Sequence, residues 1–318
     1  MKILLLERRV LTVGDLDFSP LDAVGEVTYL DNTMREDEII EAGRKTCCEV
    51  LLCNKAPITE KVLAGIPTLR LICVMATGFN NIDGDAAKRH GVIVCNVPGY
   101  STDSVVQMIF AHILAHASHA ERYTEEIGNG AWICSETFSF LSSPITELSG
   151  KTLGIVGYGA IGKKTARVAE ALGMRPLICT RTPPVDCPYR VTTTEEVLRE
   201  SDILCLCCPL TPATKSLIRD ETVSLMKPTA ILINTARGPV VDESAVANAL
   251  RDGRLGGYGC DVLAAEPMSP DCPLLGAPRF TCTPHIAWAT PEARARLLDI
   301  TVNNIHGYEC GKLQNRVL

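Results

Sequence analysis

The sequence predicts an α/β protein with parallel sheets, organised as two domains. Short apolar runs alternate with helical or turn-like stretches, the pattern of strands covered by helices. That alternation comes in two series, separated by an irregular stretch at 128–149. The 318 residues also exceed what one ordinary hydrophobic core organises.

In the first series, residues 2–6, 26–30, 49–53, 70–75 and 92–95 read as strands. Glu36–Gly43, Thr59–Ala64 and Asp85–His90 read as the helices between them. The opening run from Lys2 to Leu6 is ended by Glu7-Arg8-Arg9, so it reads as a buried strand, with no secretory leader expected. No stretch reaches the roughly 18 apolar residues of a membrane helix. Pro98-Gly99-Tyr100-Ser101-Thr102-Asp103 is a turn leading to a helix N-cap. From Ser104 to about Ile127 neither Pro nor Gly interrupts the chain, which predicts one long helix. The second series starts at Lys151, with strands near 152–156, 176–180, 202–207, 230–234 and 256–260. A last helix runs from Pro291 to about Tyr308, with Pro in its first turn.

A hydrophobic share of 46% against 21% charged residues fits a folded protein. The net charge of −6 offers nucleic acid no basic surface, so an anionic ligand needs a local cation. Among the 15 cysteines, Cys53, Cys73, Cys95, Cys179, Cys205 and Cys207 lie in apolar runs and read as small hydrophobes. The cysteine pattern suggests neither a zinc ribbon nor a disulfide framework, so no metal is expected and a reducing cytoplasm is the natural compartment.

The strongest motif is Gly157-Tyr158-Gly159-Ala160-Ile161-Gly162, which follows the apolar run Thr152–Val156 and opens a helical run through Leu172. Gly157 would make the tight turn, Gly159 would admit a pyrophosphate, and Gly162 would let helix and strand pack closely. The helix N-terminus would meet the phosphates with unpaired N–H groups. After the next strand comes Thr180-Arg181-Thr182, with no carboxylate until Asp186. An acidic residue there would favour NAD(H); Arg181 instead suits a 2′-phosphate, so NADP(H) is favoured. The alternative is that Arg181 is a solvated surface residue and NAD(H) binds.

Three further residues follow apolar strands. Arg237 comes just past Ile231–Asn234, Glu266 follows Gly259-Cys260-Asp261-Val262, and His285 sits in the turn Thr283-Pro284-His285-Ile286-Ala287. In open α/β sheets the carboxyl ends of strands line the ligand crevice. A cation to hold a carboxylate, a group titrating near neutrality and a carboxylate to orient it make an acid–base site. Singly, each has a plainer reading: a surface ion-pair partner, a loop carboxylate, a satisfied turn histidine. Their joint occurrence with the glycine motif favours the site.

In order and spacing, Ala76-Thr77-Gly78-Phe79-Asn80-Asn81-Ile82-Asp83, Gly150–Gly162, Cys208-Pro209-Leu210-Thr211, Asn234-Thr235-Ala236-Arg237-Gly238 and Thr283–Trp288 resemble the D-isomer-specific 2-hydroxyacid dehydrogenases over essentially the whole chain. Tyr100–Val105 and His285–Ala289 look most like the glycerate dehydrogenase (hydroxypyruvate reductase) branch. The resemblance implies two Rossmann-like/flavodoxin-like domains with parallel sheets and a cleft between them. Residues 1–100 and 289–318 would form a discontinuous substrate domain and 101–288 the dinucleotide domain, with hinges near Pro98–Ser101 and Ile286–Thr290.

The resemblance also implies roles. Arg237 and the backbone N–H groups of Ala76, Thr77 and Gly78 would hold the substrate carboxylate. His285 would give a proton to the keto oxygen as hydride passes from nicotinamide C4 to substrate C2, with Glu266 holding the imidazolium form. Gly157–Gly162, Thr180, Arg181, Thr182, Cys208, Pro209, Thr214, Thr235, Ala236 and Asp261 would line the cofactor. The helix from Ser104 and the arm around Trp132 would build a homodimer. Hydroxypyruvate or glyoxylate is the expected 2-keto acid. D-Lactate and D-3-phosphoglycerate are the alternatives, the latter disfavoured because Thr77–Asp83 has no basic residue for a phosphate. From another class stands a dinucleotide-sensing, corepressor-like binding protein, since fold alone does not fix function. The chain departs from the family pattern in two places: Thr180 replaces a frequent acidic residue, and Cys207 a frequent histidine.

Overall fold

The computed structural model describes residues 1–318, which divide into two units: Met1–Ser101 with Trp288–Leu318, and Thr102–Ala287. No helix is long and apolar enough to cross a membrane.

The first unit is built on five parallel strands, β1 (Lys2–Leu5), β2 (Glu26–Tyr29), β3 (Val50–Cys53), β4 (Leu71–Val74) and β5 (Ile93–Cys95), in the order β2-β1-β3-β4-β5. Successive side chains point to opposite faces of a strand, and both faces are covered here. Leu4, Leu51, Ile72 and Val94 pack under Ile39, Val62, Leu63, Ala86 and Ala87, from helices Glu36–Thr46, Glu60–Gly65 and Gly84–Arg89. Ile3, Leu5, Leu52, Leu71 and Cys73 face Ala293, Leu297, Leu298 and Ile305 of helix Pro291–Glu309. Two-sided cover explains why these strands read as unbroken apolar runs. It also explains the cysteines: burial pushes the Cys53 and Cys73 thiols far up, as expected of small core hydrophobes.

The C-terminal helix is tied to the N-terminal segment by Arg294. Its buried guanidinium donates to the Leu11 carbonyl at 3.1 Å and to both oxygens of Asp15, at 2.7 and 2.6 Å. Glu7, which in the sequence merely ends an apolar run, is a buried carboxylate. It accepts the backbone N–H groups of Asn54, Lys55 and Ala56 and so fixes the loop after β3.

The second unit carries seven parallel strands: β6 (Thr152–Val156), β7 (Arg175–Cys179), β8 (Arg190–Val191), β9 (Ile203–Leu206), β10 (Ile231–Asn234), β11 (Gly257–Cys260) and β12 (Phe280–Cys282). Their order is β12-β11-β10-β9-β6-β7-β8, so the direction of winding reverses between β6 and β9. Helices Thr102–Ser118 and Ala160–Ala171 cover one face through Val105, Ile109, Ile113, Ala166 and Ala169. Val197, Leu198, Val246 and Leu250, from helices Thr194–Glu200 and Glu243–Arg251, cover the other.

Two expectations are corrected. The helix foreseen over Ser104–Ile127 is two helices, Thr102–Ser118 and Ala120–Gly128, broken at His119, whose φ is +52°. The first half buries an apolar face and the second buries nothing. The Ala117 carbonyl accepts the N–H of Thr146 from the following loop, a bond made between segments distant in sequence. The strand before His285 is not a buried apolar one. It is a three-residue edge strand, half-buried to exposed, and edge strands need little apolar patterning.

The Arg294–Asp15 pair yields a test. The Arg294 guanidinium holds the Asp15 carboxyl well below the usual carboxylate range. A carboxylate with a depressed folded value contributes stability that is present above its unfolded value of about 4 and is lost as pH falls toward the folded one. We expect Asp15→Asn to lower Tm at neutral pH, and the gap from wild type to persist down to about pH 4 and close below it. Thermal melts across that range check this, and a gap independent of pH would show that the charge pair is not its source.

Candidate active site

Parallel strands all end at the same edge of a sheet, so the loops after β6, β7, β9, β10, β11 and β12 gather at one edge of the second unit. At that edge Gly157 turns the chain out of β6 with φ +98°, a conformation that favours glycine. A Cβ there would lie 2.7 Å from the backbone of Cys207 and Cys208, so the loops after β6 and β9 meet at the point where the winding reverses. At Gly162 a Cβ would lie 2.2 Å from the Gly157 carbonyl, which accounts for the close approach of helix and strand. Gly159 differs: nothing lies within 4 Å of its missing Cβ, and no side chain caps the helix it opens. Open space before bare helix-terminal N–H groups is the cradle a pyrophosphate fills.

The remaining cofactor-side residues gather around the same edge. Thr214 closes the loop after β9, donating to the Pro209 carbonyl at 2.7 Å and accepting the Thr211 N–H at 2.8 Å. Burial pushes the Cys207 and Cys208 thiols up to about 12 and about 11, so both are neutral thiols near pH 7. Past β7, Thr180 is half-buried, whereas Arg181 and Thr182 are exposed, and Arg181 forms no ion pair. Thr235 Oγ1, just past β10, is a buried side-chain polar atom without a partner, the kind of group a bound ligand satisfies. The open cradle and this orphaned hydroxyl both fit a dinucleotide.

Three strand-end turns carry the titratable and cationic groups. After β10, the buried Asn234 amide accepts the Ala236 N–H and donates to the Arg237 carbonyl, both at 3.0 Å, so it stitches the turn that presents Arg237. The half-buried Arg237 guanidinium donates to the Ala236 carbonyl at 2.7 Å and pairs with no carboxylate. Gly238 follows because a Cβ there would stand 1.9 Å from the Leu263 backbone, so this turn abuts the loop after β11. Glu266 ends that loop. One of its oxygens accepts the Leu263 N–H at 3.0 Å, and the other lies 2.6 Å from His285 Nδ1. The structure thus puts Glu266 and His285 in direct contact and sets Arg237 at the end of the next strand but one.

His285 itself has φ +56°, and a single carboxylate holds its loop. Asp261, buried at the end of β11, accepts the Thr283 hydroxyl at 2.6 Å and the N–H groups of Ile286 and Ala287 at 2.9 Å each. Thr283 Oγ1 in turn lies 3.2 Å from His112 Nε2, and Thr281 Oγ1 lies 3.0 Å from His112 Nδ1 and 3.1 Å from His116 Nε2. Burial lowers both histidines, His116 to about 4, so both rings are neutral near pH 7. Their room comes from Gly257 and Gly259, where a Cβ would stand under 3 Å from each side chain. Sequence reasoning assigned Asp261 to the cofactor and missed His112, His116, Thr281 and Thr283. The two glycines of β11 were the available signal, since glycine within a strand marks a close approach.

In the first unit the loop after β4 contains Ala76, Thr77 and Gly78. The Ala76 and Thr77 carbonyls are taken by Val97 N–H and Asn96 Nδ2, at 3.0 and 2.7 Å, while the three backbone N–H groups make no hydrogen bond in the protein. Consecutive open N–H groups form an anion-binding concavity.

The family model for "D-isomer specific 2-hydroxyacid dehydrogenase, NAD binding domain" matches residues 110–287. A hydroxypyruvate reductase of Blautia hydrogenotrophica is 37% identical, covering 100% of this chain and 99% of its own. A glycerate dehydrogenase of Methylorubrum extorquens is 38% identical over 99% of this chain and 98% of its own. Among solved structures, a protein of Thermus thermophilus superposes with TM-score 0.90 at 32% identity, and an acyclic imino acid reductase in complex with NADPH and D-Arg with TM-score 0.88 at 27%. Both cover 100% of the two chains compared. The chain belongs to the D-isomer specific 2-hydroxyacid dehydrogenase family.

Proposed function

We propose that this chain is a hydroxypyruvate or glyoxylate reductase, interconverting a small 2-keto acid and its 2-hydroxy acid with NADP(H). The observation that carries the reading is the His285–Glu266 contact of 2.6 Å at the same sheet edge as the unpaired Arg237. The nicotinamide, when bound, supplies or accepts the hydride at C4. Arg237 holds the substrate carboxylate by a charge-assisted hydrogen bond, and in the first unit the open N–H groups of Ala76, Thr77 and Gly78 offer an anion-binding turn. Glu266 occupies Nδ1 of His285, so the proton that reaches the keto oxygen is the one on Nε2, and oxidation returns it there. Asp261 keeps the loop of His285 in place, so the ring needs no reorganisation as the proton moves.

We expect His285→Ala to lower kcat by about 10²–10⁴-fold, the usual range for a general acid–base group. Arg237→Ala should raise KM as well as lower kcat, and Glu266→Gln should reduce kcat by less than His285→Ala. Steady-state assays with hydroxypyruvate and glyoxylate check this, and an Arg237→Ala enzyme with unaltered KM would remove the carboxylate assignment.

The preference for NADP(H) rests on the exposed Arg181 and on the absence of a carboxylate at Thr180. We expect Arg181→Ala to raise KM for NADPH while leaving KM for NADH nearly unchanged; a wild-type enzyme favouring NADH would overturn the assignment. A homodimer belongs to the same reading, supported by Ile133, Phe138 and Leu141 in the arm at 129–149, which are 85%, 92% and 76% exposed. Light scattering should return twice the monomer mass for wild type, and a monomer for Phe138→Asp with Leu141→Asp. A monomeric wild type would rule the dimer out. The reading also places the enzyme in a reducing cytoplasm, which suits its 15 free thiols.

A further inference from the structure

Cys260 and Cys282 end the adjacent strands β11 and β12 as register partners. Their sulfurs are 3.7 Å apart, with Cys260 donating to Cys282. Cys260 is buried and Cys282 exposed. Cys73 and Cys95 are also register partners, but both are buried, with no face open to a reagent. Only the first pair joins a sulfur that solvent reaches to a second one directly behind it. Its place in the chain matters too: Cys260 immediately precedes Asp261 and Cys282 immediately precedes Thr283, the two ends of the 2.6 Å bond that holds the loop of His285.

We propose that Cys260 and Cys282 form a reversible thiol–disulfide site, closed by a low-molecular-weight disulfide such as oxidised glutathione, and that closure slows the dehydrogenase reaction. Cys282 attacks first, because it is exposed and because the hydrogen bond from Cys260 holds its thiol below the ordinary value. Its thiolate forms a bond to one sulfur of the reagent and expels the other as a thiolate, which takes up the proton that Cys282 released. Cys260, held above its ordinary value by that bond to Cys282 and by burial, is the resolving thiol. It attacks the Cys282 sulfur, its own proton passing to the second thiolate that leaves. Two protein thiols are oxidised and one external disulfide is reduced to two thiols. Joining the sulfurs brings them from 3.7 Å to about 2.05 Å, and the displacement falls on Asp261 and Thr283.

The effect on turnover rests on the function proposed above, whereas formation of the disulfide does not. The full-length protein is titrated with oxidised glutathione, and each sample is both assayed with hydroxypyruvate and digested without reductant for mass spectrometry. A peptide carrying Cys260 should appear joined to one carrying Cys282, and kcat should fall by about tenfold or more, since misplacing catalytic groups by about 1 Å costs up to about 10²-fold. Dithiothreitol should restore both. Cys282→Ser should keep the untreated activity and lose both the linked peptide and the inhibition. Cys260→Ala should leave glutathione attached to Cys282. Glutathione retained on Cys282 of the wild type, with no link to Cys260, would overturn the site. A linked peptide with unchanged kcat would overturn the coupling to turnover. Protein that links its cysteines when treated, but even untreated never turns over a 2-keto acid, would count against the proposed function alone.

Discussion

The Asp261 carboxylate holds the candidate site of this protein together. A buried carboxylate is costly unless its oxygens are satisfied, and here the groups that satisfy it all belong to the segment Thr283–Ala287. Compensating the charge and fixing the loop are therefore one event. The loop needs such an anchor because His285 adopts a left-handed backbone, a conformation costing a non-glycine residue on the order of 1–3 kcal/mol. With the loop pinned, the imidazole meets Glu266 from the neighbouring strand end. Ser104 adds a further tie, donating its hydroxyl to the Ala287 carbonyl.

Behind that anchor the packing is unusually intimate for a sheet edge. Strand β11 reads Gly-Tyr-Gly-Cys, and its two glycines give up side chains so that His112 and His116 lie against the backbone. Burial keeps both rings neutral near pH 7, so they support the threonine hydroxyls without setting a second charge beside Asp261. Gly157 and Gly238 act likewise at the strand-end loops, the first against Cys207 and Cys208 and the second against Leu263. Each close approach draws together segments that follow different strands, and the parallel sheet ensures that all of them lie at one edge.

Much of this was legible in the chain itself. Ten strands were found to within about two residues, because a strand buried on both faces is an apolar run that helical stretches interrupt. The glycine turn was legible because each glycine serves a distinct steric need, and Arg237 and Glu266 stood out as candidates because they follow apolar strands, whereas His285 follows an edge strand that lacks that pattern. What escaped had no local signature. Strand β8 is only the pair Arg190-Val191 and β12 a three-residue edge strand, neither patterned like a core strand. The break at His119 lies in a stretch that local propensity reads as helical throughout, and the Ala117 carbonyl is taken by Thr146.

The sequence by itself determined the order and type of the core strands, the dinucleotide turn and the candidates for acid, cation and carboxylate, since apolar periodicity and glycine sterics act over a few residues. Only the tertiary structure decided which groups meet. Glu266 reaches His285, Asp261 gathers Thr283 with the two following N–H groups, Glu7 caps the loop after β3, and Cys260 stands beside Cys282. The physical reason is that hydrogen bonds and sulfur contacts depend on distances of a few ångströms between segments many residues apart, and only the register of parallel strands sets those distances.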